Sequence, residues 1–189
     1  MNSEEFKRTR RRWLHQAASL GLMAAGAAAS PVRARFNELT LGQLAPPLTL
    51  HTLDGRSIST RDLVGQVVIA SFWATWCEPC REELPLLSDY ARRNGKKGLQ
   101  VLGFSLDGPA ELSKVRAVAS GLSFPVGLVA SPWVEGYGRI WRLPVNFVIN
   151  RQGILVGNGW DDDNPVFTPE RLTREVDPLL ALSGSGRAA

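Results

Sequence analysis

Residues 72–85 read FWATWCEPCREELP, and this stretch contains both cysteines of the 189-residue chain. Cys77 and Cys80 are separated by only two residues. A disulfide that closes so short a ring removes little entropy from the unfolded chain, so it contributes little to stability. The two thiols are therefore expected to serve chemistry or metal binding.

The sequence around this stretch alternates between strand and helix patterns. Continuous apolar runs at residues 67–74 and 99–106 are typical of strands buried on both faces, and a helix is expected between them from about Cys77 to about Asn94. The other expected elements are a hairpin-like opening over 48–60, a helix over 109–120, a strand near 125–129, a helical stretch from Pro132 to before Pro144, a hairpin over 145–160, and a last helix with Thr168 as N-cap and Pro169 at its first position. This order predicts an α/β fold whose central mixed sheet carries helices on both faces.

The expected helix start activates one thiol. Unpaired backbone N–H groups and the positive end of the helix dipole favour negative charge at Cys77, which lowers its thiol pKa. Cys80 lies one turn deeper on the same side, and Pro79 restrains the backbone between them. Cys77 is therefore predicted to attack a substrate disulfide, and Cys80 to resolve the mixed disulfide.

Three glutamates around the pair act in the opposite direction. Glu78, Glu82 and Glu83 add negative charge near Cys77, which disfavours its thiolate. Strong thiol oxidants are strong because their reduced form is stabilised. The pair is therefore predicted to work as a reductant, and a reduction potential above about −150 mV would contradict this prediction.

Composition argues against a nucleic-acid partner. Hydrophobic residues make up 44% of the chain and charged residues 21%, as in ordinary globular proteins. The formal net charge is +4, but residues 1–29 hold five of the 22 basic and two of the 18 acidic side chains. The remaining 17 basic and 16 acidic side chains leave a nearly neutral body, which has no general attraction for a phosphate backbone.

The basic N-terminus has the pattern of an export signal. The stretch TRRRWLH (9–15) precedes an uncharged run over 16–30 that is rich in Ala, Gly and Leu, and it resembles a twin-arginine signal. The run is short and weakly apolar for a bilayer span of about 20 residues, so cleavage is expected after Ala29 or Ala34. A basic disordered N-terminus and an uncleaved anchor remain the alternatives. An export signal predicts a periplasmic or otherwise extracytoplasmic location.

The chain from about Leu39 to Leu182 resembles the thioredoxin fold. The segment WCEPCREELP, the N-terminal hairpin and the additional helix and strand near 108–130 resemble the TlpA/ResA group of exported thioredoxin-like thiol-disulfide oxidoreductases. The expected organisation is a signal peptide and linker over 1–34, one thioredoxin-like domain over 35–183, and a flexible tail over 184–189.

This resemblance implies roles for particular side chains. Glu83 should lie close to the cysteine pair and assist proton transfer, in place of the buried aspartate that ordinary thioredoxins carry where this chain has Ser71. A cis peptide bond is implied before Pro144, and the backbone of Leu143 should contact an extended substrate chain. Val145-Asn146 follows where threonines are common in the group, a departure expected to affect partner choice but not the basic chemistry.

The tryptophans near the thiols receive different interpretations. Trp76 resembles the exposed tryptophan that borders the thiols in thioredoxins, whereas Trp73 is expected to pack beneath them. The residues expected to bind substrate are Trp76, Glu78, Pro79 and Leu143. Those interpreted as packing in the core or in the insert are Trp133, Trp141 and Trp160.

The prediction is therefore a protein disulfide reductase that needs no bound organic cofactor. Because reducing power is scarce outside the cytoplasmic membrane, the resemblance implies a membrane thiol-electron transporter that regenerates the dithiol. Apocytochrome c and copper-site assembly proteins are substrates in such families, and the residues do not choose between them. The protein is expected to be a monomer.

Three other functions compete with this prediction. A structural zinc site needs about four ligands, whereas the body of the chain offers the two cysteines and His51, and the aspartates at 161–163 lack the ligand spacing of a calcium loop. No metal is therefore expected. A thiol peroxidase of the alkyl hydroperoxide reductase type normally carries a Pro-x-x-x-Thr-x-x-Cys context, which is absent here. A redox-dependent adaptor that binds through the face around Trp76 is the non-enzymatic alternative.

Overall fold

A computed structural model describes residues 39–182, so the predicted signal and linker over 1–34 and the predicted tail over 184–189 lie outside the described residues. In chain order the strands and helices are β1 (Thr49–His51), β2 (Ser57–Ser59), β3 (Val67–Trp73), α1 (Glu78–Asn94), β4 (Leu99–Ser105), α2 (Leu112–Ala119), β5 (Val126–Leu128), β6 (Trp133–Val134), β7 (Gly138–Arg139), β8 (Val145–Ile149), β9 (Leu155–Asn158), α3 (Pro169–Glu175) and α4 (Asp177–Ala181).

The centre of the fold is a five-stranded mixed sheet in the order β5-β4-β3-β8-β9. Strands β3, β4 and β5 run parallel, whereas β8 is antiparallel to both β3 and β9. Every residue of β3 is buried, as its continuous apolar sequence predicts for a strand covered on both faces. The predicted mixed sheet, the β1–β2 hairpin and the thioredoxin fold are confirmed.

The two faces of the sheet are covered differently. Val67, Ile69 and Trp73 of β3 belong to one apolar cluster, which includes side chains of α1, α2, α3 and α4. The alternate residues, including Phe72, pack on the opposite face against the β1–β2 hairpin and the segment around Tyr137. Helices were predicted on both faces, whereas α1 to α4 all contribute to the cluster on one face. Because β3–α1–β4 and β4–α2–β5 advance in the same direction, right-handed crossovers put both helices on one face.

The predicted helical stretch between Pro132 and Pro144 is wrong. The chain there forms a short antiparallel hairpin of β6 and β7. Gly136 and Gly138 adopt positive φ angles of 78° and 79°, which glycine tolerates and a helix does not use. The hairpin turns Tyr137 into the core and leaves Trp133 60% exposed, so the interpretation of Trp133 as a packing residue is also wrong.

The C-terminal segment begins as predicted and then divides. The Thr168 side chain caps α3 by accepting a hydrogen bond from the Arg171 backbone N–H at 3.2 Å, and Pro169 follows it. The helix breaks at Val176 before α4 begins. Leu172, Val176 and Leu180 are buried against α1 and the sheet. No helix within residues 39–182 has the length and apolar character needed to cross a membrane.

Candidate active site

Cys77 occupies the N-cap of α1. Its backbone is extended, with φ −88° and ψ 104°, and the helix begins at Glu78. The Cys77 Sγ accepts a hydrogen bond from the backbone N–H of Cys80 at 3.3 Å, one of the N–H groups that have no partner inside the helix. The helix start therefore supplies both a donor and the positive end of a dipole to the Cys77 sulfur.

Cys77 and Cys80 are joined by a disulfide, with their Cα atoms 5.3 Å apart. Cys77 is 5% exposed, whereas Cys80 is completely buried. An incoming thiolate therefore reaches Cys77 more easily than Cys80. Dithiol exchange requires this asymmetry. One sulfur has to be accessible to form the mixed disulfide with the substrate, and the other attacks that mixed disulfide from within the protein.

A cleft of about 320 Å³ opens beside the disulfide. It is lined by Trp76, Cys77, Glu78, Pro79, Leu106, Ile140, Trp141 and Leu143. The four residues predicted to bind substrate all belong to this lining. Leu106, Ile140 and Trp141 were not predicted, because Leu106 directly follows β4 and the other two lie in the segment predicted to be helical.

Two exposed tryptophans stand at this cleft, Trp76 at 68% and Trp141 at 69% exposure. Trp141 stacks on Trp160, with ring centroids 5.8 Å apart and planes inclined by 10°. The Arg142 guanidinium lies 5.5 Å and 5.7 Å from the two ring centres and donates to the backbone carbonyls of Trp160 at 3.1 Å and Asp162 at 2.6 Å. The interpretation of Trp141 as a packing residue is therefore wrong. Stacking holds the ring in place while its outer surface faces solvent.

The loop that leads into α1 is fixed by Asp107, which is 3% exposed. Its carboxylate accepts hydrogen bonds from the Thr75 backbone N–H at 2.8 Å, the Thr75 hydroxyl at 2.5 Å and the Ser105 hydroxyl at 2.7 Å. Because Thr75 directly precedes Trp76, this anchor sets the path of the chain into the cysteine pair. The sequence analysis missed Asp107, although its position after a buried parallel strand, beside the strand that leads to the thiols, is a usable signal.

Glu83 lies one turn beyond Cys80 on the same face of α1 and is 2% exposed. Its Oε1 accepts hydrogen bonds from the Phe167 backbone N–H at 2.5 Å and from Asn146 Nδ2 at 2.8 Å. Burial raises the pKa of Glu83 to about 7, against the opposing effects of these two donors and of the positive charge on Arg171. A carboxyl with this pKa takes up and releases protons near neutral pH.

The remaining predicted residues lie around this centre. The Leu143–Pro144 peptide bond is cis, as the resemblance implied. Trp73 is completely buried, as predicted, and so is Ser71, which pairs with Asn146 across β3 and β8. Within residues 39–182, no three His, Cys, Asp or Glu side chains lie close enough together to hold a metal ion.

The mixed sheet and the Cys-x-x-Cys disulfide at the start of α1 define a thioredoxin-fold thiol-disulfide protein. The chain belongs to the AhpC/TSA family, whose sequence profile matches residues 41–157. It is a thiol-disulfide oxidoreductase of the thioredoxin type, and its resemblance to the ResA group is confirmed by the following relatives.

Thiol-disulfide oxidoreductase ResA of Bacillus thuringiensis (strain Al Hakam) is 29% identical over 119 residues, which cover 63% of this chain and 69% of the relative. Thioredoxin-like protein YneN of Bacillus subtilis (strain 168) is 32% identical over 117 residues, which cover 60% of this chain and 68% of the relative. Among solved structures, a thiol:disulfide interchange protein of the thioredoxin family from Chlorobium tepidum TLS superposes with a TM-score of 0.59 at 26% identity, covering 73% of this chain and 96% of its own.

Proposed function

We propose that this protein reduces protein disulfides outside the cytoplasmic membrane by dithiol–disulfide exchange. One observation carries the proposal: the Cys77–Cys80 disulfide lies at the N-terminus of α1 on the wall of a largely apolar cleft, with Cys77 the more accessible sulfur. A reversible bond at such a position is suited to electron transfer, since it adds little to stability.

In the proposed reaction, the protein dithiol and a substrate disulfide become a protein disulfide and two substrate thiols. The Cys77 thiolate attacks one substrate sulfur, the substrate S–S bond breaks, and the other substrate sulfur leaves and takes up a proton. Glu83 accepts the proton of the Cys80 thiol, and the Cys80 sulfur attacks Cys77 in the mixed disulfide. The bond between Cys77 and the substrate then breaks, and the second substrate sulfur leaves and takes up the proton held by Glu83, which restores the carboxylate.

The cleft is the proposed binding site for the substrate chain. Trp76 and Trp141 offer apolar surfaces on which substrate side chains pack, and Glu78 and Pro79, which lie between the two cysteines in the chain, line the same cleft. The backbone of Leu143, next to Pro144, is proposed to pair with an extended segment of the substrate, as in the addition of a strand.

The proposed direction of electron flow is from this protein to its substrates. Glu78 and Glu82 are exposed and Glu83 is buried, all within the first two turns of α1, and their negative charge disfavours the reduced thiolate. A membrane thiol-electron transporter is proposed to regenerate the dithiol. From the TlpA/ResA resemblance, the proposed substrates are proteins of cytochrome c maturation or of copper-site assembly.

The extracytoplasmic location is proposed from the pattern of residues 1–34. Fractionation of cells that express the full chain, followed by N-terminal sequencing, should yield a protein that begins after Ala29 or Ala34. A protein that stays in the cytoplasm with Met1 intact would contradict this part of the proposal.

The mature protein is proposed to be a monomer. Light scattering of the purified mature protein should give the mass of a monomer.

A single-turnover experiment tests the proposed chemistry. The protein is reduced with dithiothreitol, freed of reductant and mixed with a peptide disulfide. The wild type should release two peptide thiols and form its own disulfide. Cys80→Ser should stop at a mixed disulfide through Cys77, and Cys77→Ser should react far more slowly. Equal reaction by Cys77→Ser and the wild type would refute the assignment of Cys77 as the attacking sulfur.

A thiol peroxidase is the second candidate, because the matching family includes AhpC in its name. The chain carries Ala70 and Ala74 where the peroxidase context would place Pro and Thr relative to Cys77. The reduced protein should consume hydrogen peroxide no faster than a simple dithiol does.

The double variant Cys77→Ser/Cys80→Ser distinguishes a reductase from a redox-dependent adaptor. An adaptor would keep its binding to a partner without the thiols, whereas a reductase would lose its activity.

A further inference from the structure

Glu83 is held in the core by one of its two carboxyl oxygens. Oε1 accepts both hydrogen bonds, from Asn146 Nδ2 at 2.8 Å and from the Phe167 backbone N–H at 2.5 Å. Oε2 is buried and has no hydrogen-bond partner within residues 39–182. The two oxygens of this carboxyl are therefore not equivalent.

Asn146 is placed to act on Glu83 by the register of the sheet. It lies on β8 directly opposite Ser71 of β3, and its neighbour on the same face, Val148, packs in the cluster that contains α1. Asn146 is 3% exposed, and its Nδ2 also donates to the Pro165 carbonyl at 3.1 Å. This second bond restrains the amide, so it meets Glu83 in one orientation.

A neutral carboxyl has one oxygen that carries the proton and one that accepts hydrogen bonds. Two N–H donors at Oε1 make it the accepting oxygen in the neutral form, which assigns the proton to Oε2. We propose that Asn146 is the positioning residue of Glu83, holding Oε1 as an acceptor so that Oε2 takes and releases the proton. This role rests on the proposed function of Glu83 in dithiol exchange.

The nearby positive charge stabilises the Glu83 anion less than the two hydrogen-bond donors do. Arg171 of α3 is the cation whose field lowers the pKa of Glu83, and it is itself paired with Asp162 at 2.7 Å and with Glu175 at 3.0 Å. Because these two carboxylates share the charge of Arg171, the direct donors are the main stabilisation of the Glu83 anion. Of these, only Asn146 is a side chain that substitution can remove.

Carbon-13 NMR of the Glu83 carboxyl in the disulfide form tests the proposal without depending on catalysis. The wild-type carboxyl should titrate near pH 7. Asn146→Leu keeps the branching of the side chain and removes the donors, so the titration should move up by about one pH unit or more, a tenfold or greater increase in proton affinity. Asn146→Val and Asn146→Thr have the same shape and differ by one hydroxyl donor, so the Val variant should titrate above the Thr variant.

Val148→Ala is the matched control, because Val148 is buried on the same face two residues along β8. It should leave the Glu83 titration in place. The proposal is overturned if Asn146→Leu and Asn146→Val titrate at the wild-type pH. It is also overturned if Val148→Ala moves the titration as far as they do, since general loosening of the core would then be the cause.

The pH profile of single-turnover exchange with a peptide disulfide links Asn146 to the reaction. The wild-type inflection should move upward in Asn146→Leu, and Asn146→Leu should change nothing further in a Glu83→Gln background. A change of equal size in both backgrounds would refute action through Glu83. If the wild type exchanges no disulfide at all, the proposed function fails, and the NMR titration still reports whether Asn146 controls the Glu83 carboxyl.

Discussion

Glu83→Gln should remove the pH dependence of stability that the buried carboxyl imposes. Burial raises the pKa of Glu83 from 4.5 to about 7, so the folded state binds its proton more tightly than the unfolded chain does. The stabilisation is therefore complete below about pH 4.5 and is lost as the pH rises through about 7. A difference of about 2.5 pH units corresponds to about 3 kcal/mol at pH 8. The Gln side chain stays neutral and does not lose this stability.

Urea unfolding of the disulfide form at pH 4.5, 6 and 8 measures this effect without interference from free thiols. The wild type and Glu83→Gln should have similar free energies of unfolding at pH 4.5, because Gln resembles the protonated carboxyl. At pH 8 the variant should be more stable by about 3 kcal/mol, which is roughly 6–12 °C in Tm for a domain of this size. Glu82→Gln, at an exposed neighbouring position, should follow the wild type. Parallel curves for the wild type and Glu83→Gln would refute a raised pKa at Glu83.

Three further substitutions test the loop anchor, the cleft, and a contact of α1 outside the site. Asp107→Asn should destabilise the fold by about 1–3 kcal/mol, measured by urea unfolding, because the amide cannot accept all three hydrogen bonds from Thr75 and Ser105; unchanged stability and exchange rate would contradict the anchor. Trp141→Ala should raise KM for a peptide disulfide roughly tenfold, about 1.4 kcal/mol, while Trp133→Ala, outside the cleft lining, should not; equal effects would contradict the cleft as the substrate site. Tyr90→Phe removes the bond from the Tyr90 hydroxyl to Asp177 at 2.5 Å and should cost about 1 kcal/mol in unfolding free energy with an unchanged reduction potential.

The elements that carry the chemistry could be predicted from the sequence because their signals are local. The apolar run of β3, the cysteine pair that follows it and the N-cap at Thr168 all act within a few residues. Local pattern failed in the segment between Pro132 and Pro144. There Gly136 and Gly138 permit a turn that folds the chain back, and the exposure of its aromatic residues depends on contacts with distant strands.

The network below the thiols depends on contacts that sequence spacing does not reveal. Asn146 was expected to affect partner choice alone, yet its amide bonds to Glu83, 63 residues earlier in the chain. That contact exists because β8 pairs with β3 and α1 crosses the same face. The one available signal was the polar Asn146 inside the apolar strand VNFVIN, since a buried amide requires a partner.

The reduction potential of the Cys77–Cys80 pair tests the central claim most directly. Equilibration of the protein with redox buffers of dithiothreitol or glutathione, followed by thiol alkylation and mass spectrometry, gives the ratio of dithiol to disulfide. A reductant should show a reversible two-electron couple below about −200 mV, nearer to the value of thioredoxin at about −270 mV than to that of a strong oxidant at about −120 mV. A potential above about −150 mV, or a disulfide that does not equilibrate, would contradict the account.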